Sequence, residues 1–126
     1  MKRQISYIEK VVCAGERLPA ELLHDKLRGK RNISDCRMAV MTLALEFGNT
    51  QIEAEAYFKR GHPCAINARN AVADLCATNR DFRIKMDVYR NIIERGISYE
   101  DWTSHRIIRL RNEVNQLQGE LNRIAI

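Results

Sequence analysis

The chain has 126 residues, of which 45% are hydrophobic and 29% charged, a globular rather than a disordered mixture with room for one compact domain and an appended helix. Its 21 basic and 16 acidic residues give a formal charge of +5, which suits a polyanionic partner without demanding one. With only two prolines and six glycines the expectation is mostly helix, and no run approaches the roughly 18 apolar residues that a membrane span needs.

Met1-Lys2-Arg3 leads into a polar amphipathic stretch with no apolar core of a signal peptide. Cys13, Cys36, Cys64 and Cys76 are scattered and form no CxxC pair. The chain is therefore expected in the cytoplasm, with its thiols reduced and no membrane partner. Ile5, Ile8 and Val12 share one face of a helix over residues 2–14, with Gly15 as its C-cap. Pro19 suits the first turn of a short helix in which Leu22 and Leu23 cover the core. The run that follows carries Lys26, Arg28, Lys30 and Arg31 with no acid among them, and Gly29 in its middle argues for a loop. By composition alone such a run is equally a solvated surface.

The next helix is predicted from Ser34 to Phe47, with Val40, Leu43, Ala44 and Phe47 as its buried stripe. Gly48 and Asn49, which both tolerate the left-handed conformation, end it. Thr50 and Glu53 form a capping box that opens a short helix running to Phe58. After the turn at Lys59, Arg60 and Gly61, His62 caps a third helix with Pro63 in its first position, and Ile66, Val72 and Leu75 face the core. Helix, short helix, glycine turn, helix is the framework of a helix-turn-helix, although short helices joined by turns are common in all-α proteins.

A further helix is expected from Asp81 to Arg95, with Ile84, Val88 and Ile92 on one face and Gly96 stopping it. Ser98 is the N-cap of the last helix, with Glu100 and Asp101 in the first turn and Trp102 as a packing anchor. Within it Ile107, Leu110, Val114, Leu117, Leu121 and Ile124 are spaced 3, 4, 3, 4, 3, the a and d positions of a heptad segment over about 104–125. A parallel pair would set Arg106 against Arg111 of the partner. A homodimer through this helix, parallel or antiparallel, and packing back on the domain all remain open.

Residues 5 to about 76 resemble the C-terminal DNA-binding domain of the bacterial replication initiator DnaA. The stretch Arg37-Met-Ala-Val-Met-Thr-Leu-Ala-Leu-Glu46-Phe47 is similar to the family's Arg-Gln-x-Ala-Met-x-Leu-x-x-Glu-Leu helix. Arg60-Gly-His62-Pro-Cys-Ala-Ile-Asn-Ala68 resembles its Arg-Asp-His-Ser/Thr-Thr-Val-Ile/Leu-His-Ala signature, and KLRGKRN stands where the family has its basic loop. The resemblance implies an all-α fold with an initiator-type (Trp-repressor-like) helix-turn-helix domain over 1–78, followed by a helical C-terminal extension over 79–126. It implies that Lys26, Arg28, Lys30 and Arg31 meet phosphates or the minor groove of double-stranded DNA. Arg37, Lys59 and Arg60 would hold the backbone, and His62, Asn67 and Arg69 would lie near the major groove.

Departures from the family pattern bear on specificity. Gly61 replaces the signature Asp, Pro63 and Cys64 replace the hydroxyl pair, and Asp35 replaces an arginine. One residue is missing between Glu53 and Arg60. Sequence-tolerant binding, or a different site, is expected rather than the initiator's own box. No Walker phosphate loop, second metal-ligand pair or nucleophile–base arrangement is present in the sequence, so no cofactor, no metal and no enzymatic activity are expected. The expected role is control of replication initiation or transcription, at the nucleoid. The alternative is an interaction module that keeps the fold and binds the replication initiator or another replication protein.

Overall fold

The computed structural model of the chain describes residues 2–25 and 31–125. It is all-α: α1 (Ile5–Glu16), a short 3-10 helix (Ala20–His24), α2 (Arg31–Glu46), α3 (Gln51–Tyr57), α4 (Cys64–Thr78), α5 (Arg80–Arg95) and α6 (Tyr99–Ile124), with no strand among the described residues. No helix of the described residues is long and apolar enough to cross a membrane.

Residues 1–96 form one compact unit and 97–126 a second. The sequence suggests a division after residue 78, but α5 belongs to the first unit. Its Met86, Tyr89, Ile92 and Ile93 are buried, and it packs on α1 and α4. The predicted face of Ile84, Val88 and Ile92 is not the one used: Ile84 is exposed and Val88 only half-buried. Steps of four residues overshoot a helical turn by about 40° each, so Ile84 has rotated off the stripe that holds Ile92.

The core centres on α2, which packs against α1, α3, α4 and the 3-10 helix. Val40, Leu43 and Ala44 are buried as expected, joined by Met41, Ile8, Val11, Val12, Leu23 and Val72. Each fully buried aliphatic side chain of this kind contributes about 1.5–3 kcal/mol of transfer free energy. Thr50 does form the capping box: its hydroxyl accepts from the Glu53 N–H at 3.1 Å, and the Glu53 carboxylate accepts from the Thr50 N–H at 3.3 Å. Asn49 at the end of α2 is buried and donates to the carbonyls of Arg3 and Ala44.

Several predicted termini move. Gly15 is inside α1, and Arg17 closes that helix in the left-handed conformation. Gly15 is small for another reason: a Cβ there would stand 2.5 Å from the Tyr89 ring of α5. The second helix already includes Arg31, one turn before the expected start at Ser34. The fourth begins at Cys64, with Pro63 rather than His62 in the cap position. Gly96 does stop α5, at a φ of 70° that disfavours other residues.

In the second unit the Ser98 hydroxyl caps α6 by accepting from the Asp101 N–H at 3.1 Å. Trp102 is half-buried, with the Arg106 guanidinium 5.7 Å from its ring centre. No residue of α6 is buried, and all six heptad positions are exposed.

Candidate nucleic-acid interface

The segment joining α3 to α4 is built around a carboxylate that sequence reading missed. Glu55, on α3, is buried, and its Oε2 accepts from the Ala65 N–H at 3.0 Å. Its Oε1 lies 3.2 Å from His62 Nδ1. Glu55 therefore does from α3 what a local N-cap normally does, satisfying a free N–H in the first turn of α4 and opposing the positive end of that helix. The Ala65 N–H, and secondarily His62, hold its pKa below the ordinary carboxylate value. With a carboxylate already seated there, the end of α4 is not an anion site. Anions would have to be held by side chains on its flanks.

Those flanks carry the cations. Between α2 and α4 runs a groove of about 320 Å³, whose lining includes Ser34, Arg37, Met38, Arg60, Cys64 and Asn67 and contains no carboxylate. Arg31 lies one turn before Ser34 on α2, exposed at the head of this flank. Asp35, which replaces an arginine of the resembled family, does not face the groove. It lines a separate cleft of about 250 Å³ with Glu16, Asp81 and Lys85, between α1, α2 and the start of α5.

Arg37 is not a free surface cation. It is 8% exposed, its Nε donates to the Leu23 carbonyl at 2.7 Å, and one terminal nitrogen is buried with no partner. Burial and the nearby Arg60 charge lower its pKa. The expectation of a simple phosphate contact at Arg37 thus changes into a structural one: it ties the 3-10 helix to α2 and charges the groove from beneath. Arg60 is half-buried, donates to the Asp25 carbonyl at 3.0 Å and lines the same groove. Lys59 is exposed in the turn, with a φ of 53°. Lys26, Arg28 and Lys30 lie outside the described residues.

What borders that basic run is well anchored. The buried Glu9 carboxylate accepts from the Tyr57 hydroxyl at 2.9 Å and pairs with His24 Nε2 at 2.6 Å. His24 also stacks on Phe58, with ring centres 5.0 Å apart. Residue 25 is thus fixed beside the α3–α4 turn through Arg60, and α2 already includes Arg31.

On α4 itself, Asn67 and Arg69 are both exposed but do not share a face. At about 100° per residue they project roughly 160° apart, so Arg69 lies on the flank away from the groove. The residue that accompanies Asn67 is Asn70, one turn on and also exposed. That i, i+3 relation is readable in the sequence once the helix register is known. Asp74 follows on the same strip and makes its far end acidic. His62 is exposed at the head of the strip, but its ring is committed to Glu55. Among the described residues, Arg31, Lys59, Arg60 and Arg69 make no ion pair, whereas Lys2, Lys85 and Arg90 each pair with a carboxylate.

No protein-family model matches the chain, and comparison with curated proteins gives no match.

Proposed function

We propose that residues 1–96 are a double-stranded-DNA-binding unit of the initiator C-terminal type, with α3 and α4 as its helix-turn-helix, serving control of replication initiation or transcription. The observation that carries this reading is the groove between α2 and α4. It brings Arg37 and Arg60 together without a carboxylate, beside a helix whose outward strip presents Asn67 and Asn70. The Arg60 charge opposes Arg37 more strongly than the Asp25 carboxylate relieves it, and phosphate is an anion that a duplex supplies on either side of its major groove.

In this reading α4 lies in the major groove with the N-terminal half of its strip against base edges, and Asp74 holds the far end away from the backbone. Arg31, Lys59 and Arg60 meet phosphates on the α2 side, and Arg69 reaches toward the other strand. Asparagine is suited to paired hydrogen bonds with adenine, but two asparagines without the family's acidic and hydroxyl residues define few base pairs. Binding is therefore mostly through the backbone and weakly sequence-selective.

A mobility-shift titration on random-sequence duplex at low salt tests the reading. Retarded complexes that Arg31→Ala and Lys59→Ala each weaken on every sequence are expected, with Asn67→Ala and Asn70→Ala altering preference more than affinity. Absence of any complex would overturn it and leave the interaction-module alternative, which a pull-down of the replication initiator would then examine.

A further inference from the structure

The last helix carries a feature that DNA binding does not use. Ile107, Leu110, Val114, Leu117, Leu121 and Ile124 are 47%, 47%, 51%, 62%, 65% and 81% exposed, an unbroken row of large apolar side chains in water. The row spans roughly 26 Å of helix at about 1.5 Å per residue. It repeats every 3.5 residues on average rather than 3.6, which keeps it facing a partner helix that winds around it with left-handed twist. It is also narrow. Among the described residues only Ile108 adds a large exposed apolar side chain beside it, so the seam suits one helix and not the broad face of a lipid surface or a globular core.

We propose that α6 pairs with α6 of a second copy of the chain as a parallel two-stranded coiled coil. In-register parallel pairing sets every seam residue against its own counterpart, and no polar residue interrupts the six layers. The first two heptads place Ile107 and Val114 at a with Leu110 and Leu117 at d, the distribution that favours two parallel strands. The third reverses it, with Leu121 at a and Ile124 at d. The flanking charges do not choose the direction. A parallel pair sets Arg106 against Arg111 of the partner helix, and a fully overlapped antiparallel pair sets Glu113 against Glu120 of the partner helix, so two symmetry-related like-charged contacts are met either way. The side-chain shapes of the first two heptads make the choice.

The parallel arrangement has a consequence of its own. Arg106 and Arg111 from both copies gather at the N-terminal end of the coil, so the pair is weakest at low ionic strength and tightens as salt screens the four arginines. That dependence is opposite to the one expected of DNA binding, and the inference does not rest on the DNA reading.

Sedimentation equilibrium of the full chain across concentration, at low and high salt, tests the proposal. The expected result is a doubling of mass that strengthens with salt and is abolished by Leu117→Asp, whose site is exposed in the single chain and whose helix content is checked by circular dichroism. Arg111→Glu replaces the two like-charged contacts by two attractive ones and should tighten the dimer roughly tenfold at low salt. For direction, Ile124→Cys is treated with oxidised glutathione, which takes up the two electrons and two protons released as the two thiols become a disulfide. A parallel pair yields a covalent dimer, whereas an antiparallel pair holds the two cysteines roughly 26 Å apart and does not. A mass that stays monomeric at every concentration and salt would overturn the proposal, as would a dimer indifferent to Leu117→Asp. A dimer that resists the Ile124→Cys crosslink would overturn its direction.

Discussion

Replacing Gly15 by alanine is the most exacting test of how α5 is held in the first unit. A Cβ at residue 15 would stand 2.5 Å from Tyr89 Cε1 and 2.6 Å from its hydroxyl oxygen, far inside contact distance. Tyr89 cannot swing aside without cost: it is 4% exposed, and its hydroxyl donates to Glu16 Oε1 at 2.6 Å. Overpacking of this kind costs about 1–3 kcal/mol, and disturbing a hydrogen bond to a charged group adds about 1.5 kcal/mol or more. Alanine regains about 1 kcal/mol of helix propensity over glycine, leaving a net loss of about 1.5–3.5 kcal/mol. For a unit of this size that lowers Tm by roughly 6–28 °C. Thermal unfolding followed by circular dichroism reads it, with Gly61→Ala as the control, since a Cβ there meets nothing within 4 Å. Should Gly15→Ala match or exceed the parent's Tm, the close approach of α1 and α5 is wrong.

The capping box and the buried carboxylate make further predictions. Thr50→Ala removes the α3 cap and should cost about 1 kcal/mol, seen as a Tm lower by roughly 4–8 °C; an unchanged Tm would mean that α3 is held by packing alone. Glu55→Gln should speed amide exchange in the first turn of α4 at neutral pH, and protection equal to the parent's would show that the carboxylate does not anchor that turn. Because the folded Glu55 has a lowered pKa, its stabilising contribution is fully present above the ordinary value of 4.5 and is lost as pH falls below that through the folded value. The Tm gap between parent and Glu55→Gln should therefore narrow in that acid range; a gap independent of pH would contradict the assignment. Lys59→Ala should reduce the salt slope of DNA binding by about 0.9, one phosphate contact's share, with the slope read from affinities at several salt concentrations. An undiminished slope would remove Lys59 from the interface.

The local features were legible and the distant ones were not. Thr50 and Glu53 are three residues apart, so the capping box follows from their identities alone. Ser98 before α6 and Gly96 after α5 are similarly local. Gly15 looked like a helix end because the ring that requires its smallness, Tyr89, comes from another helix. Glu55 was invisible as a cap because the N–H that it satisfies lies ten residues on, beyond the reach of any local cap motif. Arg37 looked like a surface cation by resemblance; only the fold brings the Leu23 carbonyl to it and buries it. Asp35 stands where the resembled family has an arginine, but helix rotation turns it into the other cleft. The pairing of Asn67 with Asn70 is an i, i+3 relation inside the predicted helix, so it was legible in the sequence.

The most direct test of the central claim is the salt dependence of affinity for random duplex DNA, measured by fluorescence anisotropy. With Arg31, Lys59 and Arg60 each neutralising one phosphate, the log–log slope should be at least about −2.7, a loss of roughly 40-fold over a fourfold rise in salt. Any contacts from Lys26, Arg28, Lys30 and Arg69 would steepen it. A slope near zero, or no binding at low salt, would contradict the account of the α2–α4 groove as a phosphate-facing surface.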